Sequence, residues 1–232
     1  MLHHPRTFAI ESSLVQIEAD GVRLDGALAV PPDPIGVVVF AHGSGSSRHS
    51  PRNKLVARTL HDRSRAATLL VDLLSDGEEE LDNRTGQLRF DMPLLARRVA
   101  AVCDWVMRDK RTRSLPTGLF GASTGAAAAL MVAADRPDTV AAVVSRGGRP
   151  DLAGAGALAR VTAPTLLVVG GDDTVVLDLN RQAMRAMTHA HCQLEIVLGA
   201  SHLFAEPGTL AEAADLAAAW FARYLSVKPP LA

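Results

Sequence analysis

Cysteine is almost missing from this 232-residue chain, occurring only as Cys103 and Cys192. Two such residues make no disulfide framework, so a reducing, cytoplasmic setting is the simpler expectation. An excess of charge is missing too: 24 lysines and arginines stand against 25 aspartates and glutamates, for a net charge of −1. That balance, without any basic run interleaved with aromatics, argues against a nucleic-acid partner. No stretch reaches the roughly 18 apolar residues of a membrane span, and no membrane partner is expected. Residues 1–18 contain neither a long apolar run nor a small-residue cleavage site, so no secretory leader is expected. What the chain does have is apolar material for a core, at 48% hydrophobic residues against 21% charged. With no repeat or linker to divide it, one domain over residues 1–232 is expected.

Segments 14–18 and 23–30 alternate apolar and polar residues around Asp20-Gly21, a two-residue turn signal, and read as antiparallel edge strands. From Gly36 onward, short continuous apolar runs alternate with helical patterns. Strands are expected at 36–41, 67–71, 116–120, 139–144, 164–169 and 193–198. Helices are expected at 51–65, from Leu94 to Val106, after Ser123, at 178–187 and at 209–225, with Lys228-Pro229-Pro230 as a tail. Such alternation implies an α/β fold with a mostly parallel sheet and helices on both faces. Asp72 to about Arg89 reads as a long polar loop. Its Glu78-Glu79-Glu80 run is read as solvated, because three consecutive glutamates cannot converge on one ion in regular structure. Between Ser145 and Ala163 there are fewer than about 20 residues, too few for a lid domain, so the site should be fairly open.

The chain is organised around Gly118 to Ala129, read as a buried strand entering a tight turn and then a helix, with Ser123 at the apex of a G-x-S-x-G pattern. Gly121 and Gly125 flank the serine where a Cβ would strike a neighbouring strand or helix. The free N–H groups of the following helix would face a developing negative oxygen. Alone, this pattern has a plain alternative, since serine is also a common helix N-cap. Asp173 and His202 change the balance, because both stand at carboxyl ends of predicted strands, where open α/β sheets place their sites. A neutral serine is a poor nucleophile. His202 would take its proton, and Asp173 would orient and stabilise the imidazole. The backbone N–H groups of Thr124 and Ser44 are the candidate oxyanion donors.

Other residues admit plainer roles. Asp172 and Asp72 are the alternatives for the acid. His42 reads as structural, bonding the backbone of the oxyanion loop. His189 and His191 form an H-x-H pair without a third ligand. Arg48, Arg89, Arg146 and Arg149 are placed on loops that could border the site and bind an anionic acid group, although an exposed arginine is the ordinary case.

Four motifs together resemble the α/β-hydrolase superfamily, in its dienelactone-hydrolase-like branch, over about residues 14–225. They are His42-Gly43-Ser44-Gly45, Gly121-Ala122-Ser123-Thr124-Gly125, Gly170-Gly171-Asp172-Asp173 and Gly199-Ala200-Ser201-His202. The resemblance implies an α/β-hydrolase fold without a large lid and selects Asp173 over Asp172, because the acid in that branch sits three residues after the first glycine of its turn. It also marks a departure. Dienelactone hydrolase uses a cysteine nucleophile and an acidic residue in the loop after the third strand, whereas this chain has Ser123 and no acid there. The expected activity is a serine hydrolase acting on a carboxylic ester or thioester of a small acyl substrate, with no metal or organic cofactor. A perhydrolase or peptidase with the same triad and a non-catalytic ligand-binding member of the fold are the alternatives.

Overall fold

Asp20 and Gly21 both adopt positive φ, 47° and 77°, the pair of conformations whose twist suits a two-residue hairpin. They join β1 (Ser12–Ala19) to β2 (Val22–Ala29), antiparallel, with Ala19 opposite Val22. The computed structural model describes residues 12–226; residues 1–11 and the Lys228-Pro229-Pro230 tail lie outside the described residues. Of these two strands, both expected at the edge, only β1 is an edge strand. β2 pairs on its other side with β4 (Ala67–Val71), again antiparallel, and its Leu24 and Leu28 are fully buried.

The remaining strands are β3 (Val37–Ala41), β5 (Thr117–Ala122), β6 (Val140–Arg146), β7 (Thr165–Gly170) and β8 (Cys192–Val197). The sheet order is β1-β2-β4-β3-β5-β6-β7-β8, and every pairing from β4 across to β8 is parallel. β3, β4, β5 and β7 are buried along their whole lengths, as strands covered on both faces must be. Val38 and Phe40 face a core built with α1 (Pro51–Ser64) and α7 (Thr209–Leu225). Val37 and Val39 face the opposite core, built with α3 (Met92–Val106), α4 (Thr124–Asp135), α5 (Ala155–Arg160) and α6 (Thr174–Ala186). From β3 the chain moves outward to β4, then returns to add β5 on the other side. That reversal opens a crevice at the carboxyl ends of β3 and β5.

Three further expectations need correction. Asp72 to Arg89 is not a long loop: α2 (Asp76–Thr85) occupies its middle and a short 3-10 turn (Leu88–Phe90) its end. Ser75 Oγ accepts from the Glu78 N–H while the Glu78 carboxylate accepts from the Ser75 N–H at 2.9 Å. That reciprocal cap, with acidic residues facing the positive helix end, makes the glutamate run a helix start. α6 begins four residues earlier than expected, directly after Asp173. β6 runs two residues further, so Ser145 and Arg146 are buried strand residues and not loop. Residues 145–163 hold only β6's end, a short 3-10 turn and α5, with no lid. Among the described residues no helix is long and apolar enough to cross a membrane.

Candidate active site

Ser123 sits on the bend between β5 and α4 with φ 49° and ψ −119°, a region that L residues occupy only at a cost of order 1–3 kcal/mol. Two close approaches impose the bend. A Cβ on Gly125 would lie 2.2 Å from the Ala41 carbonyl oxygen, and one on Gly121 would lie 2.3 Å from the Ala126 Cα. With bare glycines at both places, α4 packs directly against the end of β3. Ser123 occupies the N-cap position of α4, yet its side chain makes no capping bond. The hydroxyl is directed elsewhere: its Oγ lies 3.3 Å from His202 Nε2. That separation is at the long end for an O–H···N bond, as is common in a resting site.

His202 follows β8, and Asp173 follows β7, its strand neighbour. Backbone bonds lock their two turns together: the Gly171 N–H donates to Val197 O at 2.8 Å and the Asp172 N–H to Ala200 O at 3.0 Å. Gly170 permits this, since a Cβ there would stand 2.3 Å from Ala200 O. The Asp173 carboxylate then accepts from His202 Nδ1 at 2.6 Å. Asp173 is the N-cap residue of α6 but leaves the helix uncapped to make this contact. With Nδ1 as donor, Nε2 carries a lone pair toward Ser123. Ser123, His202 and Asp173 therefore form one continuous hydrogen-bonded chain. The two alternative acids are elsewhere: Asp172 is exposed, and Asp72 is paired with Arg48.

His42 is buried and bridges two loops. Nδ1 bonds Gly43 O at 2.9 Å, and Nε2 accepts from the Leu73 N–H at 3.0 Å. This fixes the neutral tautomer, and burial lowers the His42 pKa. The folded protein thus holds His42 neutral, whereas the unfolded chain takes up a proton below about pH 6.5. Stability is complete above that pH and falls as pH drops toward the folded-state value, by up to ~1.4 kcal/mol per pH unit. The urea midpoint is therefore expected to be lower at pH 5.5 than at pH 7.5, and a His42→Gln variant should show a smaller difference over the same interval.

The two candidate oxyanion donors differ in their hydrogen bonding. Thr124 is the first residue of α4, and its N–H is one that a helix cannot pair internally. The Ser44 N–H is engaged, donating to the Thr124 side-chain Oγ1 at 2.9 Å. That side-chain contact has no signal in the sequence. His191 stacks on Trp220 with ring centroids 5.7 Å apart, and among the described residues no group of three or more histidine, cysteine or acidic side chains could hold a metal ion. Of the arginines, Arg48 pairs with Asp72, Arg89 with Asp82 at 2.7 Å and Arg149 with Asp151 at 2.7 Å. Arg146 alone of the four lines the same cleft as Ser123 and His202, a space of about 200 Å³.

Comparison with known proteins follows this geometry. The model of the dienelactone hydrolase family matches residues 24–226. A dienelactone hydrolase from Anabaena variabilis superposes with a TM-score of 0.89 at 51% identity, covering 92% of this chain and 98% of that one. Est1E from Butyrivibrio proteoclasticus shares the fold, with a TM-score of 0.77 at 14% identity over 92% of this chain and 99% of its own. A protein of Mycobacterium tuberculosis strain H37Rv, provisionally named a phosphoribosyl transferase, is 56% identical over 211 residues, which is 91% of this chain and 46% of that protein. The chain thus spans about half the length of the curated relatives it matches. Its fold, its elbow serine and the family model over residues 24–226 agree, and the chain belongs to the dienelactone hydrolase family.

Proposed function

We propose that this protein hydrolyses a carboxylic ester of a small acyl substrate through an acyl-enzyme on Ser123. The observation that carries the reading is the unbroken chain from Ser123 Oγ through His202 to Asp173, at 3.3 and 2.6 Å, on a strained elbow. In the first half-reaction Ser123 Oγ attacks the carbonyl carbon and its proton passes to His202 Nε2. The tetrahedral intermediate collapses with cleavage of the C–O bond, and the leaving alkoxide takes the proton from His202. Water then attacks the acyl carbon and gives one proton to His202. Collapse releases the acid and returns that proton to Ser123. Asp173 keeps the imidazole oriented and stabilises its cationic form throughout.

The family supports a hydrolase, and the 51% identical relative named for a lactone, a cyclic ester, supports the ester over the thioester. On this reading the transferase name of the Mycobacterium relatives belongs to the half of those proteins that this chain does not span. The two unbonded thiols, Cys103 and Cys192, support a reducing cytoplasmic location. A fluorophosphonate tests the nucleophile directly: mass spectrometry should find one adduct, on the peptide containing Ser123. An adduct on another residue, or none on the folded protein, overturns the reading.

The engaged Ser44 N–H adds a further expectation. To stabilise an oxyanion it must be released by the Thr124 hydroxyl, and a hydrogen bond of this kind is worth about 0.5–1.5 kcal/mol net. Thr124→Val keeps the shape and removes the acceptor. It should raise kcat/KM by up to about tenfold, measured with a short-chain nitrophenyl ester; a loss of rate would show that Ser44 is not the second donor.

A further inference from the structure

Arg146 is the last residue of β6, opposite Ala122 in β5, and its carbonyl accepts the Ser123 N–H at 3.2 Å. It is therefore fixed beside the nucleophile by strand register. Only 8% of it is exposed, and its Nη1 has no hydrogen-bond partner. Burying a guanidinium in this way costs several kcal/mol unless an opposite charge offsets it. Elsewhere in the fold that charge is present: Arg48, Arg89, Arg98 and Arg149 each have a carboxylate. Among the described residues Arg146 has none within ion-pair distance. The Phe120 ring, with its centroid 5.8 Å from the guanidinium carbon, makes a cation–π contact with it that returns only part of the cost.

The surroundings make the cleft more positive still. Among the described residues no aspartate or glutamate lines it, and Arg52 does. Arg52 lies in the first turn of α1, which holds no acidic residue, so the positive end of that helix adds to the same field. Burial, and then the charge of Arg52, push the Arg146 pKa down to about 10, which leaves it cationic at neutral pH. Asn53, one residue further and 2% exposed, has a side-chain oxygen without a partner.

We propose that this cleft takes an ester substrate bearing a phosphate-like dianion, held between Arg146 and Arg52 beside the Ser123 hydroxyl. Two cations with no acid among the lining residues match two negative charges, where a single carboxylate would leave one cation uncompensated. The proposal rests on the ester-hydrolase reading for the role of Ser123, while its anion-binding part stands on Arg146 and Arg52 and not on that reading.

The experiment separates the two. Three 4-nitrophenyl esters are compared: acetate, which is neutral; monosuccinate, which carries a carboxylate; and 3-phosphonopropionate, which carries a dianion. The phosphonate ester should exceed the acetate in kcat/KM by about 10- to 100-fold, the range of one charged hydrogen bond, with the gain in KM. In Arg146→Gln that ratio should fall toward one, and in Arg146→Lys it should be partly kept. Reading the ratio within each variant cancels general damage, and if Arg146→Gln does not fold, Arg52→Ala on the half-buried start of α1 takes its place. In parallel, methylphosphonate should raise the melting temperature of a Ser123→Ala protein, and that rise should disappear when Arg146→Gln is added. Equal rates on the three esters, a preference for the succinate, or a preference unchanged in Arg146→Gln overturns the dianion site. A methylphosphonate shift that depends on Arg146 in a protein that no fluorophosphonate labels keeps the anion site and overturns the hydrolase reading instead.

Discussion

Ser123→Ala is expected to lower kcat/KM for a short-chain nitrophenyl ester by about 10⁴-fold or more, the scale on which nucleophile removal acts in serine hydrolases. On the proposed mechanism the side chain, 3.3 Å from His202 Nε2, heads the proton path, and nothing else in the cleft would replace its attack. The same position offers a second readout, because its backbone is held at φ 49° and ψ −119°. Alanine keeps the Cβ and so keeps the strain, whereas glycine relieves it. Ser123→Gly should therefore be as inactive as Ser123→Ala yet more stable than it by about 1 kcal/mol, offset in part by the greater entropy of an unfolded glycine. Urea midpoints of the two variants, measured side by side, decide this. Equal midpoints would mean that the elbow is not strained at residue 123.

Strain at an otherwise well-packed position explains why the elbow was legible in the sequence. Gly121 and Gly125 are required because a Cβ at either place would stand 2.3 or 2.2 Å from backbone atoms, so the pattern that permits the bend is written into the chain. The strand end carrying Asp173 was legible for a related reason: the continuous apolar run of β7 marks a strand buried on both faces, and the polar residues after it stand at the sheet's carboxyl edge. β8, an edge strand, showed instead by the alternation of Gln193, Leu194, Glu195 and Ile196, with His202 in the turn that follows it. Arg146 was misplaced by the rule that found β7. β6 continues through Ser145 and Arg146, both buried, and a sequence reading that ends a strand at its last apolar residue assigns them to a loop. α2 was missed because its residues are charged along most of its length and only Asp82 is buried, which leaves no apolar stripe; its cap, Ser75 with Glu78, was the available signal. The Thr124 to Ser44 bond joins residues 80 positions apart. Such a contact follows from β3 and β5 lying side by side, and local pattern carries no trace of it.

The two adjacent acids after β7 give the second large effect. Asp173→Asn should lower kcat by about 10⁴-fold, a magnitude taken from the matching change in a serine protease, while Asp172→Asn should leave it within about twofold, as for an exposed substitution. An asparagine at residue 173 keeps the shape but can present its NH₂ to His202 Nδ1, at the site where the carboxylate now accepts at 2.6 Å. The imidazole would then carry its proton on Nε2, facing Ser123, with no lone pair to receive the hydroxyl proton. The loss should therefore fall on the rate of acylation and spare folding, because the bonds that lock the acid turn to the histidine turn run through the backbone of Gly171 and Asp172. Burst kinetics with a nitrophenyl ester and a thermal melt of each variant separate these effects. A larger loss in Asp172→Asn than in Asp173→Asn would reassign the acid, and a lowered melting temperature in Asp173→Asn would show that the carboxylate holds the two turns together as well as the imidazole.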